Sequence, residues 1–153
     1  MNLTLKVAAV ITNSKGEILL IKERYKENEA FKWNLVKGTY DDPNETIEDC
    51  MRREMKEEVG LDVASITLTK IYHYGDAANP KILFLFHAHC PNHCVPNVAQ
   101  GNKCIPNEDI IEARWFNEEV LKELPEDAFI APYVPMSLSD GKSKNPSVLI
   151  QRI

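Results

Sequence analysis

The 153-residue sequence has no apolar run longer than five residues, "VAAVI" and "ILFLF" being the longest. A membrane-spanning helix needs about 20, so nothing here is built to cross a bilayer as a helix. The opening "MNLTLK" lacks a basic segment followed by a long apolar one. No secretory signal is therefore visible, and the expected location is cytoplasmic. Repeats, low-complexity tracts and interdomain linkers are also missing. With 44% hydrophobic residues, the length suits a single domain over residues 1–153. Cysteine is limited to Cys50, Cys90, Cys94 and Cys104, which in a chain of this size is not the framework of a disulfide-stapled secreted protein. There is no basic excess either: 18 Lys and Arg face 23 Asp and Glu, a net charge of -5. That argues against a broad cationic surface for long nucleic acid, though a few cations can still hold a small phosphate ligand.

What the sequence does have is acidity in one place. Between Asp41 and Glu58, within "WNLVKGTYDDPNETIEDCMRREMKEEVGLDV", eight carboxylates stand against three bases, which accounts for the whole net charge. Around this stretch the pattern predicts an α+β fold. "LKVAAVIT" and "GEILLIKER" flank Asn13-Ser14-Lys15-Gly16 as two strands of a hairpin, and residues 31–37 form a third. A helix is expected from about Thr46 to Val59, with strands at 63–74, 81–89 and 113–116 and a short helix in "NEEVLKEL". Pro, Asn and Gly mark a long loop from Pro91 to Pro106, and the tail has a polar loop before a closing strand.

The helix has well-marked ends. Thr46 with Asp49 forms a capping box, Pro43 lies just outside, and Gly60 suits a left-handed C-cap. At about 100° per residue from Ile47, Cys50, Met51 and Met55 define the inward sector. Glu54 and Glu58 fall inside that sector and Glu57 beside it, whereas Asp49, Arg52, Arg53 and Lys56 lie opposite. A solvated ladder of ion pairs is the common reason for a Glu-rich helix, but here the phase opposes it. Desolvating three mutually repelling carboxylates costs several kcal/mol unless cations compensate. An all-oxygen cluster suits a hard divalent ion, Mg²⁺ or Mn²⁺.

These residues resemble the Nudix family. Its signature continues from a glutamate through seven residues to Arg-Glu-U-x-Glu-Glu-x-Gly-U, where U is bulky and apolar. Glu45, seven residues, and Arg53-Glu54-Met55-Lys56-Glu57-Glu58-Val59-Gly60-Leu61 match it throughout. The box spans residues 38–61 with one departure: six residues, not five, separate Gly38 from Glu45. Either Thr39 replaces the box glycine or the loop carries an extra residue. Two N-terminal strands, Trp33 and "DIIEARWF" also look like the family.

The resemblance implies a Nudix-like α/β/α sandwich with a mixed central sheet and a pyrophosphohydrolase activity. Gly38 (through its carbonyl), Glu54, Glu57 and Glu58 would hold Mg²⁺ or Mn²⁺. Arg53 would bind Glu45 or Glu57 and brace loop against helix, and Gly60 would close the box. A further loop acid, Glu108 or Asp109, would serve as ligand or base. Divalent ions neutralise a pyrophosphate and lower the pKa of coordinated water, whose proton passes to Glu58 or Asp109. The implied substrate is a nucleoside diphosphate linked to another moiety, as in dinucleoside polyphosphates, nucleotide sugars or nucleoside triphosphates. "LVKGT" is similar to a Pro-Lys-Gly variant of members acting on dinucleoside polyphosphates or inositol pyrophosphates, with Val36 in the proline's place. Lys22, Arg24 and Lys37 are candidates for phosphate contact; exposed strand-end charges are the plainer reading. Trp33 and Trp115 are read as core before base-stacking residues.

Two alternatives are weighed. His87, His89, Cys90, His93, Cys94 and Cys104 lack the spacing of a standard zinc site, so reduced thiols and ordinary histidines are expected. A Nudix-fold regulator that binds a nucleotide without hydrolysing it would be expected to lose box carboxylates, and this sequence keeps them. The oligomeric state, a homodimer included, stays open.

Overall fold

The computed structural model describes residues 1–91, 94–98, 109–140 and 150–152. Its first turn is set by Asn13, whose side-chain oxygen accepts hydrogen bonds from the main-chain N–H groups of Lys15 and Glu17, each 3.0 Å long. Gly16 supplies the positive φ of 76° that the turn needs. Strand β1 (Thr4–Asn13) thereby folds back antiparallel onto β2 (Ile18–Arg24). The two strands pair only near the turn, through Ile11↔Leu19 and Thr12↔Ile18.

Beyond that point they part, and the chain at 32–39 fills the opening. Strand β3 (Lys32–Asn34) pairs with β2, and β4 (Val36–Thr39) pairs with β1 from Lys6↔Thr39 to Ala9↔Val36. The single third strand expected at 31–37 is thus two strands with a break at Leu35. Asn34 makes the break, because its side-chain oxygen accepts the Leu35 N–H at 2.8 Å and turns the chain from one arm of the fork to the other.

The rest of the sheet is built on the outer edges of this fork. β6 (Pro80–Cys90) runs parallel to β1 over its whole length, and β5 (Ile66–Gly75) pairs antiparallel with β6. β7 (Asp109–Phe116), longer than the strand expected at 113–116, lies along β2. The expected closing strand, β8 (Ile150–Arg152), adds to β5.

Strand alternation sends side chains to two cores. One face buries Val7, Ala9, Ile11, Leu19, Ile21 and Phe86 against Cys50, Met51, Met55 and Val59 of α1 (Ile47–Val59). The other buries Ala8, Val10, Ile18, Leu20, Trp33 and Leu85 against Leu121 of α2 (Glu118–Glu123) and Val134 of α3 (Tyr133–Asp140). Each large aliphatic side chain hidden this way contributes about 1.5–3 kcal/mol. The result is an α/β/α sandwich with a mixed sheet. Helix α3 has no counterpart among the elements expected from sequence. Pro135 sits in the first turn of α3, where its missing N–H costs no helical bond. No helix among the described residues is long and apolar enough to cross a membrane.

Candidate active site

Helix α1 ends as the sequence predicts. Thr46 and Asp49 cap it reciprocally, and Gly60, at φ 67°, closes it with its N–H on the Lys56 carbonyl. The phase of the helix is therefore fixed at both ends. Glu54 and Glu58 are each only 2% exposed, whereas the Glu57 side chain, 35% exposed, sits at the rim.

Strand β4 lies directly against these carboxylates. The Lys37 N–H donates to Glu58 Oε2 at 3.1 Å. At Gly38 an added Cβ would fall 1.9 Å from Glu54 Cδ, so the strand approaches the carboxylate as closely as it does only because this residue is glycine. Thr39 is the next residue of the strand, paired with Lys6, and its hydroxyl accepts from Lys6 Nζ at 2.5 Å. The glycine that lies against the box carboxylates is therefore Gly38, and a loop follows Thr39. That loop is held by Tyr40, whose hydroxyl donates to the Glu45 carbonyl at 2.9 Å, and by the Asp42 side chain, which accepts the Asn44 N–H at 2.8 Å.

Arg53 organises the acids. Its Nε and Nη2 donate to the two oxygens of Glu45 at 3.1 and 2.7 Å, a bidentate pair. Its Nη1 donates to Glu54 at 3.0 Å and to Glu57 at 3.2 Å. The guanidinium thus contacts both carboxylates that sequence offered as its partners, and Glu54 besides. The hydrogen bonds from Arg53 hold the Glu45 carboxyl below the usual range, and those same contacts hold Arg53 charged.

Among the described residues no three His, Cys, Asp or Glu side chains converge as a finished metal cluster. Glu54 and Glu57 are paired with Arg53, and Glu58 accepts the Lys37 N–H. The donor set still fits a hard divalent ion. It is all oxygen, two members are buried one helical turn apart, and the glycine opposite leaves the space that a Cβ would fill.

The other predicted residues are placed as follows. Asp109 opens β7, half exposed, with Arg24 Nε and Nη2 on its Oδ2 at 3.0 and 2.9 Å. Glu108 lies outside the described residues. Arg24 also donates to the Glu27 carbonyl and stacks on Phe31, and Lys22 lies over the Trp33 ring. Of the three candidate cations, Lys37 lies beside the box, with its N–H on Glu58 and its ammonium 3.3 Å from Glu23 Oε1. Burial opposes charge on Lys37, but Glu23 and Glu58 outweigh it and hold the group above the ordinary lysine range. Trp33 is core, 7% exposed and edge-on to Phe116.

Sequence reading missed Glu23, Asn34, Tyr25 and Tyr133, which join Lys37 beside the box. Asn34 Nδ2 donates to Glu23 at 2.6 Å and to the Tyr25 hydroxyl at 3.1 Å, and the Tyr133 hydroxyl donates back to Asn34 Oδ1 at 2.8 Å. Burial pushes the Tyr25 phenol up to about 12 and Tyr133 well up too. A signal for Glu23 was present: in "ILLIKER" it alternates in phase with Leu19 and Ile21, on an apolar face. The expectation of reduced thiols is corrected. Cys90, the last residue of β6, and Cys94 form a disulfide with Cα atoms 6.0 Å apart. His87 meets Thr12 at 2.9 Å and His89 is exposed, while His93 and Cys104 lie outside the described residues.

A sandwich whose first helix turns buried glutamates toward a glycine on an inserted strand defines a Nudix-type domain. The chain belongs to the Nudix family: the family model described as NUDIX domain matches residues 2–136. It is 29% identical over 114 residues to the 8-oxo-dGDP phosphatase of Danio rerio, covering 74% of this chain and 32% of that protein. It is 34% identical over 97 residues to the NAD-capped RNA hydrolase of Pseudomonas fluorescens, covering 61% and 30%. The chain thus spans about a third of the length of these curated relatives. A NUDIX hydrolase from Nitrosomonas europaea shares the fold with a TM-score of 0.71 at 24% identity, over 90% of this chain and 86% of that one.

Proposed function

We propose that this chain hydrolyses a pyrophosphate bond in a nucleoside diphosphate linked to another moiety, with Mg²⁺ or Mn²⁺ as cofactor. The observation that carries the reading is the burial of Glu54 and Glu58 against the main chain of Lys37 and Gly38. A chain without use for these charges gains nothing by hiding two of them one turn apart. Glu54, Glu57 and Glu58, with the Gly38 carbonyl, would hold the metal, which when bound supplies charge neutralisation at phosphoryl oxygens and acidifies water. Arg53 keeps Glu54, Glu57 and the Glu45 loop in one arrangement, and Lys37 holds Glu58 through its N–H and adds a fixed positive charge beside them. Of the two carboxylates implied as base, Glu58 belongs to this group, whereas Asp109 is engaged by Arg24. The reading therefore assigns the proton to Glu58. Lys22 and Arg24, committed to Trp33 and Asp109, are secondary candidates for phosphate contact.

The names of the relatives support the substrate class, since 8-oxo-dGDP and an NAD cap both carry a pyrophosphate on a nucleoside. The test is product release from dinucleoside polyphosphates, nucleotide sugars including ADP-ribose, NAD-type dinucleotides and (deoxy)nucleoside di- and triphosphates, each with Mg²⁺, Mn²⁺ or EDTA. Metal-dependent release from one class is the expected result. No release from any by the folded protein would overturn the reading in favour of a binding domain.

A further inference from the structure

The charge that the proposed chemistry does not use is Glu23. It is fully buried on β2, and it marks a register irregularity between Lys22 and Glu23 in the pairing with β7. One oxygen serves Asn34 and Lys37; the other, Oε2, is one of two buried side-chain polar atoms without a hydrogen-bond partner among the described residues. Replacing a buried ion pair by packed apolar groups is often neutral or stabilising, so stability alone does not account for Glu23 and Lys37. Their position does. Glu23 lies on one arm of the fork and Lys37 on the strand inserted along the other, so the ion pair closes the opening between β2 and β4. The next contacts along β4 are the two buried glutamates: the Lys37 N–H holds Glu58, and Gly38 abuts Glu54.

We infer that Glu23 is a positioning residue, which by anchoring the Lys37 side chain fixes the main chain of residues 37 and 38 against Glu54 and Glu58. Asn34 makes the anchor rigid, since its amide is committed to Glu23 and Tyr25 and its carbonyl oxygen to the Leu35 N–H and the Tyr133 hydroxyl. Tyr133 belongs to α3, so the far helical layer is tied into the same network. The inference rests on the reading of Glu54 and Glu58 as metal-holding residues.

The test is Glu23→Gln, which keeps an oxygen for the Asn34 amide and removes the charge facing Lys37. Mn²⁺ binding is measured by the loss of the free-ion electron paramagnetic resonance signal, alongside kcat and KM on the substrate found above. Partners that orient metal ligands carry about 10- to 100-fold in metal affinity or activity. The expected result is Mn²⁺ affinity and kcat each down by about tenfold with KM within about twofold. Lys37→Gln should lower Mn²⁺ affinity by the same factor, and in Mn²⁺ affinity the double variant should be no worse than Lys37→Gln alone, because one residue acts through the other. The Lys37→Gln comparison also stands if Glu23→Gln fails to fold. Unchanged Mn²⁺ affinity in both variants, or additive losses in the double variant, would overturn the inference while leaving the metal reading intact. No Mn²⁺ binding by the unaltered protein would overturn both.

Discussion

Gly38 is the position where one methyl group tests the site most directly. In Gly38→Ala the new Cβ would lie 1.9 Å from Glu54 Cδ, 2.1 Å from Oε1 and 2.3 Å from Cγ. The β4 backbone is paired with β1 through Val7↔Gly38, so the carboxylate is what must move. Moving it forfeits the charge-assisted hydrogen bond from Arg53 at 3.0 Å, worth about 1.5–3 kcal/mol when shielded. Arg53 is one-third exposed, so the lower end applies. Alanine returns about 0.4–1 kcal/mol by restricting the unfolded chain. Crowding at the new methyl pushes the other way, and the net is a loss of about 1–2 kcal/mol. For a chain of this size that lowers Tm by about 2–8 °C, measurable by differential scanning calorimetry. Turnover should fall far more, by about a hundredfold, because a proposed metal ligand is displaced and not merely an outer partner. A Tm within about 1 °C of the parent together with near-normal turnover would refute the claim that Gly38 is selected by its approach to Glu54.

Other perturbations separate charge from structure. Glu57→Gln, at the rim of the site, should cut turnover by orders of magnitude with little change in Tm; near-normal turnover would remove Glu57 from the proposed ligand set. The pH dependence of stability should carry the signature of Glu45. Its folded pKa lies below the ordinary carboxylate value, so its contribution is present above that value and is lost as pH falls through the folded one. Tm of the parent should therefore drop below about pH 4, and Glu45→Gln should flatten that acid limb. Parallel acid limbs for the two proteins would mean that the pairing with Arg53 does not stabilise the fold.

Periodicity made α1 legible. A 3.6-residue repeat with a capping box at one end and a left-handed glycine at the other leaves one phase, and that phase turned Glu54 and Glu58 inward. The first hairpin was legible for a similar reason, since Asn13 and Gly16 announce it locally. What local pattern does not encode is the change of partner between β3 and β4. Residues 31–37 read as one strand because each is acceptable in one; only the tertiary choice between β2 and β1 divides them at Leu35. The Cys90–Cys94 disulfide is likewise a fact of the chain path beyond β6, which spacing alone did not disclose.

That division is also why the missed residues belong beside the site. A continuous third strand would have followed one arm of the fork and left the other bare. Splitting it places Trp33 in the core under α2 and α3, and four residues later brings Lys37 and Gly38 to the helix that carries the glutamates. The turn between them has to be held by something buried and polar, because it leaves main-chain groups inside the sheet. Asn34 meets that need with its own carbonyl oxygen and hands its amide to Glu23. The charge on β2 and the carboxylates on α1 are therefore two ends of one connected path, Glu23 to Lys37 to Glu58. A reading limited to the conspicuous acidic helix finds one end of that path; the alternation of β2, applied with the same rule, finds the other.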